Sequence, residues 1–142
     1  MDQQQIKALI KKYSGIPYQH GGRDLMGLDC LGLAYYFYKD CGIDIPQNDG
    51  ENYSLNWAKE DPERYLRGIL QIGQAAPMDG LKPLDFVYFR MGRYISHGAV
   101  MVDSENFIHV LQRSTVHVSP MNKIWRKRLI GARRIVERIV NK

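Results

Sequence analysis

The spacing of turns in the C-terminal half is the feature that most restricts how this chain can fold. From residue 84 onwards, β-branched and aromatic residues predict strands near 84–90, 95–102, 106–112 and 115–118, with another near 131–139. The turns between the first four strands are short, so we expect strands that are adjacent in sequence to pair as an antiparallel meander.

Two amphipathic helices are predicted ahead of these strands. Each has apolar residues at helical spacing, namely Ile6, Leu9, Ile10 and Tyr13 in the first and Cys30, Leu33, Ala34, Phe37 and Cys41 in the second. The second helix has Asp29 as a favoured N-cap residue and Gly42 as a C-terminal stop. Helices followed by a sheet indicate an α+β domain.

The connecting segments carry weaker signals. Residues 15–28 are rich in glycine and predict a loop whose backbone must approach something closely. Between residues 43 and 84 no strand alternation is sustained, although Asp61-Pro62-Glu63 predicts a helix that continues to about Leu70. The length predicts one domain, residues 1–142, and the chain has no apolar run long enough for a membrane span and no recognisable secretory signal.

Cys30 occupies the first turn of the second predicted helix. The helix dipole favours negative charge there, which makes a thiolate easier to form. Alternatively, Cys30 is a small buried hydrophobic residue, as free cysteines often are, and this interpretation suits Cys41 at the other end. The helix separates the two cysteines by roughly 16 Å, which is too far for a disulfide.

Two histidines are expected to meet on the sheet. If the second and third predicted strands form a hairpin closed near Asp103 or Ser104, residues whose numbers sum to about 206 or 208 face each other. His97 and His109 then lie on one face, directly opposite or diagonal, and within contact distance. That face also carries Ala99, Met101, Phe107 and Leu111, so we expect it to be buried and to receive the helix of Cys30.

A cysteine and two histidines have the composition of a thiol nucleophile with its base. One imidazole takes the thiol proton, and a second polar group orients that imidazole and selects its tautomer. Cys30, His97 and His109 could instead bind zinc, but the sequence has no C-x-x-C or H-x-x-x-H pair and no obvious fourth ligand. For His20 and His117, a satisfied structural role is the simpler interpretation.

The net charge of +5 is concentrated near the C-terminus, at Lys123, Arg126, Lys127, Arg128, Arg133, Arg134 and Arg138. Such a cluster could attract an anionic polymer. The alternative is a solvated surface, because apolar residues such as Ile124 and Trp125 interleave the charges as core positions would. No nucleic-acid-binding motif accompanies the charge, so no nucleic-acid partner is expected.

Six ordered blocks of the sequence resemble the NlpC/P60 family of cysteine peptidases, which are papain-like enzymes that cut bacterial cell-wall peptides. The blocks include Gly15-Ile16-Pro17-Tyr18, Leu28-Asp29-Cys30-Leu31-Gly32, Gly42-Ile43-Asp44-Ile45-Pro46, Pro83-Leu84-Asp85-Phe86, Ile95-Ser96-His97-Gly98 and Phe107-Ile108-His109. The resemblance implies the papain-like NlpC/P60 fold, in which N-terminal helices, with the nucleophile at a helix N-terminus, pack on an antiparallel β-meander. It therefore agrees with the α+β class.

Carried over by position, the resemblance implies that Cys30 is the nucleophile, His97 the general base and His109 the residue that orients this base. It also implies that Tyr18 helps to bind the substrate or its oxyanion, together with the backbone N–H of Cys30. Asp29 matches an acidic residue that contacts substrate.

Two positions depart from the family pattern: Leu31 stands where Ser is usual, and Leu84 stands where Gly is usual. In family members, that Ser and the Asp before the nucleophile, which Asp29 matches here, help to bind the free amino end of the substrate. Leu31 therefore predicts a change in the usual recognition of an N-terminal L-Ala.

The resemblance further implies hydrolysis of an amide in peptidoglycan stem peptides, typically the bond between D-γ-glutamate and a diamino acid. The reaction would pass through a thioester acyl-enzyme, with no metal or organic cofactor. The alternatives are a thiol acyltransferase or amidase acting on another amide or ester, and a non-catalytic tail-assembly or structural protein.

The compact form without a visible signal peptide resembles phage-tail components and exported antibacterial effectors. The expected partners are therefore peptidoglycan peptides and, beyond the substrate, phage-tail proteins or an immunity protein. We expect synthesis in the bacterial cytoplasm and action at the cell wall, as a virion component or an exported effector.

Overall fold

The described residues form two long helices followed by an antiparallel sheet. The computed structural model describes residues 2–24, 26–43 and 73–135. In chain order the elements are α1 (Gln3–Tyr13), β1 (Arg23–Asp24), β2 (Gly27–Leu28), α2 (Cys30–Asp40), β3 (Gln74–Ala76), β4 (Phe86–Met91), β5 (Tyr94–Met101), β6 (Asn106–His109), β7 (His117–Pro120), α3 (Lys123–Arg128) and β8 (Leu129–Arg134). The helix predicted from Asp61 to about Leu70 lies outside the described residues.

Six strands make one sheet in the order β3-β8-β4-β5-β6-β7, and every neighbouring pair is antiparallel. Strands β4 to β7 follow one another as neighbours, which confirms the predicted meander and the α+β class. The predicted strand near 131–139 is observed as β8, which begins earlier and pairs with the outer side of β4. The short elements β1, β2, β3 and α3 were not predicted, because segments of two to six residues are too short for a periodic pattern.

Local sequence determines where α2 begins and ends. The Asp29 carboxylate accepts a 2.8 Å hydrogen bond from the N–H of Gly32, which confirms the predicted N-cap. At the other end Gly42 has a φ of +80°, so the chain leaves the helix through a glycine, as predicted. Cys30 is consequently the first residue of the helix.

The sheet is buried on both faces by separate apolar clusters. The helix-side cluster lies between the sheet and the two long helices and includes Ile6, Tyr13, Leu33, Phe37, Tyr38, Phe86, Tyr88, Val100, Val102 and Ile108. The second cluster lies on the opposite face and includes Leu81, Val87, Phe89, Ala99, Met101, Phe107 and Leu129, with Met121 and Trp125 packed against it. Strand alternation explains this division, since in β4, in β5 from His97 onward and in β6 the even-numbered residues face the helices and the odd-numbered residues face away from them.

His97 and His109 lie on the face opposite to the helices. Their rings contact Phe89 and Phe107, which belong to the second cluster. The apolar residues of α2 instead pack in the helix-side cluster. The prediction that the helix of Cys30 packs on the histidine face is therefore wrong. Both faces of β5 and β6 are apolar, so alternation alone could not reveal which one receives the helix.

A β-bulge near the start of β5 brings part of this strand back to the helix side. The pairing of β5 with β4 skips one residue, Ser96. Ile95 therefore packs with the helix-side cluster, although the odd-numbered residues later in β5 pack on the other face. Cys30 packs against the same helix-side cluster, and α2 contacts β5. Because of the bulge, the side chain of Ile95, two residues before His97, faces the side of the sheet on which Cys30 packs.

A tight turn precedes β4. The N–H of Asp85 donates to the carbonyl of Lys82 at 3.1 Å, and Leu84 has a φ of +72°. These features are typical of a type II turn with Pro83 in the second position and Leu84 in the third. A positive φ is costly for a residue that has a β-carbon, and this is the position where the family pattern usually has Gly. The buried Asp85 carboxylate also accepts hydrogen bonds of 2.8 and 2.9 Å from Arg134, which ties the turn to β8.

The apolar residues among the C-terminal basic residues do not all belong to the core. Ile124 is 60% exposed, whereas Trp125 is half-buried and Leu129 is buried. The interpretation of Ile124 as a core position is therefore wrong. The six-residue helix α3 turns Trp125 toward the sheet and leaves its neighbours exposed.

The two longest helices in the described part of the chain, α1 and α2, have eleven residues each. No helix among residues 2–24, 26–43 and 73–135 is long and apolar enough to cross a membrane.

Candidate active site

Cys30 begins α2 and is half-buried. The backbone N–H groups of a first helical turn have no acceptor within the helix, and the helix dipole makes this end positive. A thiolate at Cys30 is therefore stabilised by its position. Cys41, at the other end of the helix, has its pKa raised to about 11, chiefly by burial and then by the charge of Asp40. Cys41 is thus a protonated thiol at neutral pH, in agreement with its predicted packing role.

The glycine-rich loop before α2 is held between that helix and the segment that precedes β7. The N–H of Leu28 donates to the carbonyl of Pro17 at 3.0 Å, and the N–H of Tyr18 donates to the carbonyl of Ser114 at 2.9 Å. Gly22 lies so close to the backbone carbonyl groups of Gln19 and Gly27, in the same loop, that a β-carbon would collide with them. The predicted close approach of the loop backbone is therefore confirmed.

Asp29 joins this loop to the helix that it caps. One carboxylate oxygen accepts from the N–H of Gly32 at 2.8 Å, and the other accepts from the N–H of Gly21 at 3.1 Å. The residue is only 4% exposed. Asp29 therefore holds the loop in position beside Cys30, while the substrate contact implied by the family resemblance stays a prediction.

Tyr18 is bridged to Leu28, just before the start of α2. Its pKa is raised, first by burial and then by the charges of Cys30 and Asp29, while a hydrogen bond with Gln112 lowers it. The backbone of Tyr18 forms a bridge with Leu28, two residues before Cys30, which agrees with the effect of the Cys30 charge on the pKa of the Tyr18 hydroxyl. At neutral pH this hydroxyl is protonated and can donate a hydrogen bond.

Three side chains from neighbouring strands form a hydrogen-bonded series. His97 Nε2 lies 2.9 Å from His109 Nδ1, and His109 Nε2 lies 2.8 Å from Ser119 Oγ. Strand β5 pairs with β6 so that Val100 faces Ile108, which makes the two histidines diagonal neighbours on one face. The sequence allowed two registers, in which the numbers of facing residues sum to about 206 or 208, and the observed register has the sum of 208. The predicted contact of His97 with His109 is confirmed.

Burial keeps both imidazoles neutral. His97 is 4% exposed and His109 is fully buried. Burial is the main cause that lowers the pKa of His97 to about 4 and that of His109 to about 3, and nearby positive charges, including that of His117, lower both further. At neutral pH His97 is therefore an unprotonated imidazole, which can accept a proton.

Sequence reasoning missed three residues that surround this pair. Ser119 accepts or donates the hydrogen bond at His109 Nε2, and the ring of His117 lies 4.6 Å from that of His109. The indole of Trp125 lies 5.8 Å from the ring of His97 and 5.2 Å from that of His109. The structural interpretation of His117 holds in part, because its Nδ1–H donates to the carbonyl of Thr115 at 2.7 Å, yet the ring also packs on the pair.

Register arithmetic could have found two of these residues. Strand β7 continues the meander with His109 facing His117, so residues 117 and 119 share the face of His109. Trp125 had no comparable signal, because the short helix α3 lacks a recognisable period.

The same geometry bears on the zinc alternative. Two of the four imidazole nitrogens of His97 and His109 are directed at each other, and a third is directed at Ser119. Within residues 2–24, 26–43 and 73–135, no three or more His, Cys, Asp or Glu side chains converge where they could hold a metal ion.

The predicted site residues thus form two groups. Tyr18, Asp29 and Cys30 are gathered at the N-terminus of α2, and His97 and His109 are gathered on β5 and β6. Helix α2, which carries Cys30, contacts strand β5, which carries His97, so the two groups lie on neighbouring elements.

Known proteins resemble this chain over most of its length. The model of the NlpC/P60 family matches residues 15–134. Murein DD-endopeptidase MepS/Murein LD-carboxypeptidase of Escherichia coli strain K12 is 26% identical over 128 residues, which cover 89% of this chain and 59% of MepS. The chain therefore spans little more than half the length of this relative.

Solved structures show the same fold. An NlpC/P60 family protein from Bacillus cereus superposes with a TM-score of 0.69 at 24% identity, covering 94% of this chain and 40% of that protein. RipD from Mycobacterium tuberculosis superposes with a TM-score of 0.61 at 18% identity, covering 94% of this chain and 97% of RipD. RipD is described as a non-catalytic NlpC/P60 domain protein adapted to bind peptidoglycan.

Proposed function

The chain belongs to the NlpC/P60 family, and from this premise we propose that it is a cysteine peptidase that hydrolyses an amide bond in the peptide stems of peptidoglycan. The activity named for MepS, a murein endopeptidase, supports this substrate class. The observation on which the proposal chiefly depends is the hydrogen bond between His97 and His109, because a cysteine nucleophile requires a neutral and oriented base.

In the first half of the proposed reaction, Cys30 is acylated. This step requires the Cys30 thiol, at the end of a helix that contacts β5, to come within hydrogen-bond reach of Nδ1 of His97, whose Nε2 is held by His109; the thiol proton then passes to that Nδ1. The thiolate attacks the carbonyl carbon, and the Tyr18 hydroxyl and the Cys30 backbone N–H stabilise the negative oxygen. As the C–N bond breaks, the His97 imidazolium returns the proton to the leaving amine, and the acyl group remains on sulfur as a thioester.

In the second half, water releases the acyl group. His97 takes a proton from the water molecule while its oxygen attacks the thioester carbonyl. The C–S bond then breaks, the carboxylic acid leaves, and the proton held by His97 returns to the sulfur of Cys30.

The bond between D-γ-glutamate and the diamino acid is the proposed site of cleavage, as the family resemblance implies. Leu31, which is half-buried next to Cys30, brings an apolar side chain where a Ser hydroxyl is usual. We therefore expect weak selection for a free L-Ala amino end. MepS is named for DD-endopeptidase and LD-carboxypeptidase activities, so those bonds are the alternatives to be scored in the same experiment.

A digest of defined muropeptides, read by mass spectrometry, tests the proposal. We expect wild-type protein and the matched control Cys41→Ser to cleave the stem, and Cys30→Ser to leave it intact. Intact stems whose acyl group has moved to an added amine would identify an acyltransferase instead. Intact stems that are bound would identify a non-catalytic protein of the kind that RipD is described to be.

The route to the cell wall is a separate proposal. We propose delivery by a phage tail or by export as an effector, which rests on the sequence resemblance alone. Adding purified protein to intact cells and to isolated cell walls tests it, because a delivered enzyme should lyse isolated walls without its delivery partner.

A further inference from the structure

Ser119 lies at the end of the hydrogen-bonded series that begins at His97. Its Oγ is 2.8 Å from Nε2 of His109, whose Nδ1 is 2.9 Å from Nε2 of His97. We propose that Ser119 is a positioning residue, which accepts the Nε2–H of His109 and so leaves Nδ1 of His97 able to accept the thiol proton. The inference rests on the proposed function, in which His97 is the base.

The hydrogen atoms in this series can be arranged in only two ways when both imidazoles are neutral. In the first, His97 Nε2–H donates to His109 Nδ1, and His109 Nε2–H donates to the Ser119 oxygen. His97 Nδ1 then carries a lone pair. In the second, the Ser119 hydroxyl donates to His109 Nε2, His109 Nδ1–H donates to His97 Nε2, and His97 carries its hydrogen on Nδ1. Only the first arrangement can take a proton from a thiol.

The surroundings of the two histidines explain why the Ser119 oxygen affects the tautomer of His109. His109 is fully buried, and its ring contacts Phe107 and Trp125, whose faces offer no strong hydrogen-bond acceptor. His117 packs on the same ring with its Nδ1–H directed at the carbonyl of Thr115, but it is Ser119 Oγ that lies 2.8 Å from His109 Nε2. A buried N–H without an acceptor is costly, so removal of the Ser119 oxygen disfavours the productive tautomer.

The inference also explains how a neutral side chain can assist the base. When His97 gains the thiol proton, its Nε2–H becomes a stronger donor to His109 Nδ1. His109 then donates more strongly to Ser119, because hydrogen bonds in series polarise one another. The positive charge is thereby spread along the series, without a carboxylate at its end.

Three variants and one direct measurement test this role. Ser119→Ala removes the acceptor, Ser119→Thr retains a hydroxyl on a strand residue, and Ser119→Asp supplies an acceptor that cannot donate when ionised. Ser104→Ala, at an exposed serine in the turn between β5 and β6, is the matched control. Long-range ¹H–¹⁵N spectra of the wild-type protein report directly which nitrogen of His109 carries its hydrogen.

We expect Ser119→Ala to lower kcat about tenfold, the size of one hydrogen bond, with KM unchanged. Ser119→Thr should stay within about twofold of the wild type. The pH profile of Cys30 alkylation by iodoacetamide should shift upward in Ser119→Asp, because a negative charge favours protonated histidine. The spectra should place the hydrogen of His109 on Nε2 in the wild type.

Either of two results would overturn the inference. One is a wild-type His109 that carries its hydrogen on Nδ1. The other is a Ser119→Ala protein whose kcat and alkylation profile match those of Ser104→Ala. If the wild type cleaves no muropeptide but its alkylation profile still depends on residue 119, the proposed function fails and the role of Ser119 stands.

Discussion

The indole ring of Trp125 lies beside the imidazole of His97, with ring centroids 5.8 Å apart and planes inclined by 35°. Trp125 comes from α3, and His97 comes from the interior strand β5. The indole covers the histidine pair on the face that the long helices leave uncovered. This contact therefore contributes to the low pKa values of both imidazoles, because burial is their main cause.

Replacing this cover should make the histidines easier to protonate. In Trp125→Ala we expect the pKa values of His97 and His109 to move up toward 6.5, because water reaches both rings. NMR titration of the two imidazoles measures the shift. The acid limb of the pH–activity profile should move to higher pH by a similar amount. Ile124→Ala, at the exposed neighbour, is the control. Unchanged histidine titration in Trp125→Ala would contradict this account of the burial.

Folding stability should fall as the pH drops from about 6.5 toward 4. The folded-state pKa values of His97 and His109 are lowered to about 4 and 3, whereas in the unfolded chain these groups titrate near 6.5. The unfolded state therefore binds more protons within this range, and each group contributes a slope of up to about 1.4 kcal/mol per pH unit. Their full contribution is present above pH 6.5.

Urea unfolding at several pH values measures this slope. We expect His97→Gln to have a shallower slope than the wild type, and the control His20→Gln, at a histidine outside the pair, to keep it. Equal slopes for wild type and His97→Gln would show that the pair does not titrate in this way.

Substitution of the nucleophile or of its base should lower kcat more than substitution of the residue that orients the base. Cys30→Ser and His97→Ala should lower kcat by more than about a thousandfold, and His109→Ala by about ten- to a hundredfold. Unfolding free energies measured in parallel establish that the fold survives. Iodoacetamide should label Cys30 and not Cys41, and this labelling should be lost in His97→Ala. Wild-type cleavage by Cys30→Ser would rule out the proposed mechanism.

The turn before β4 predicts an unusual order of stabilities at position 84. Leu84 has a φ of +72°, which costs an L-residue roughly 1 kcal/mol. Leu84→Gly and Leu84→Ala both remove a half-buried side chain, but only Gly also relieves the backbone. We expect Leu84→Gly to be more stable than Leu84→Ala by about 1 kcal/mol in chemical denaturation. The reverse order, which is normal for Ala and Gly elsewhere, would show that this turn carries no strain.

Local sequence patterns were sufficient to predict the elements that carry the site residues. Asp29 and Gly42 delimit α2 through contacts with their own neighbours in sequence, so the placement of Cys30 at a helix N-terminus could be predicted. The contact of His97 with His109 could also be predicted, because short turns restrict the register of a hairpin to a few values.

The surroundings of those residues depended on contacts between distant segments. Alternation on β5 and β6 leaves both faces apolar, so only the packed structure decided that α2 covers the face opposite to the histidines. The bulge at Ser96 and the position of Trp125 likewise arise from pairing and packing across the fold.

By itself, the sequence determined the α+β class, the position of Cys30 on its helix and the pairing of His97 with His109, because each depends on residues that are close along the chain. Only the tertiary structure decided which face of the sheet the helix covers, and that Trp125 packs against the pair. Those relationships depend on how whole elements pack, and packing depends on shape and volume rather than on the order of residues.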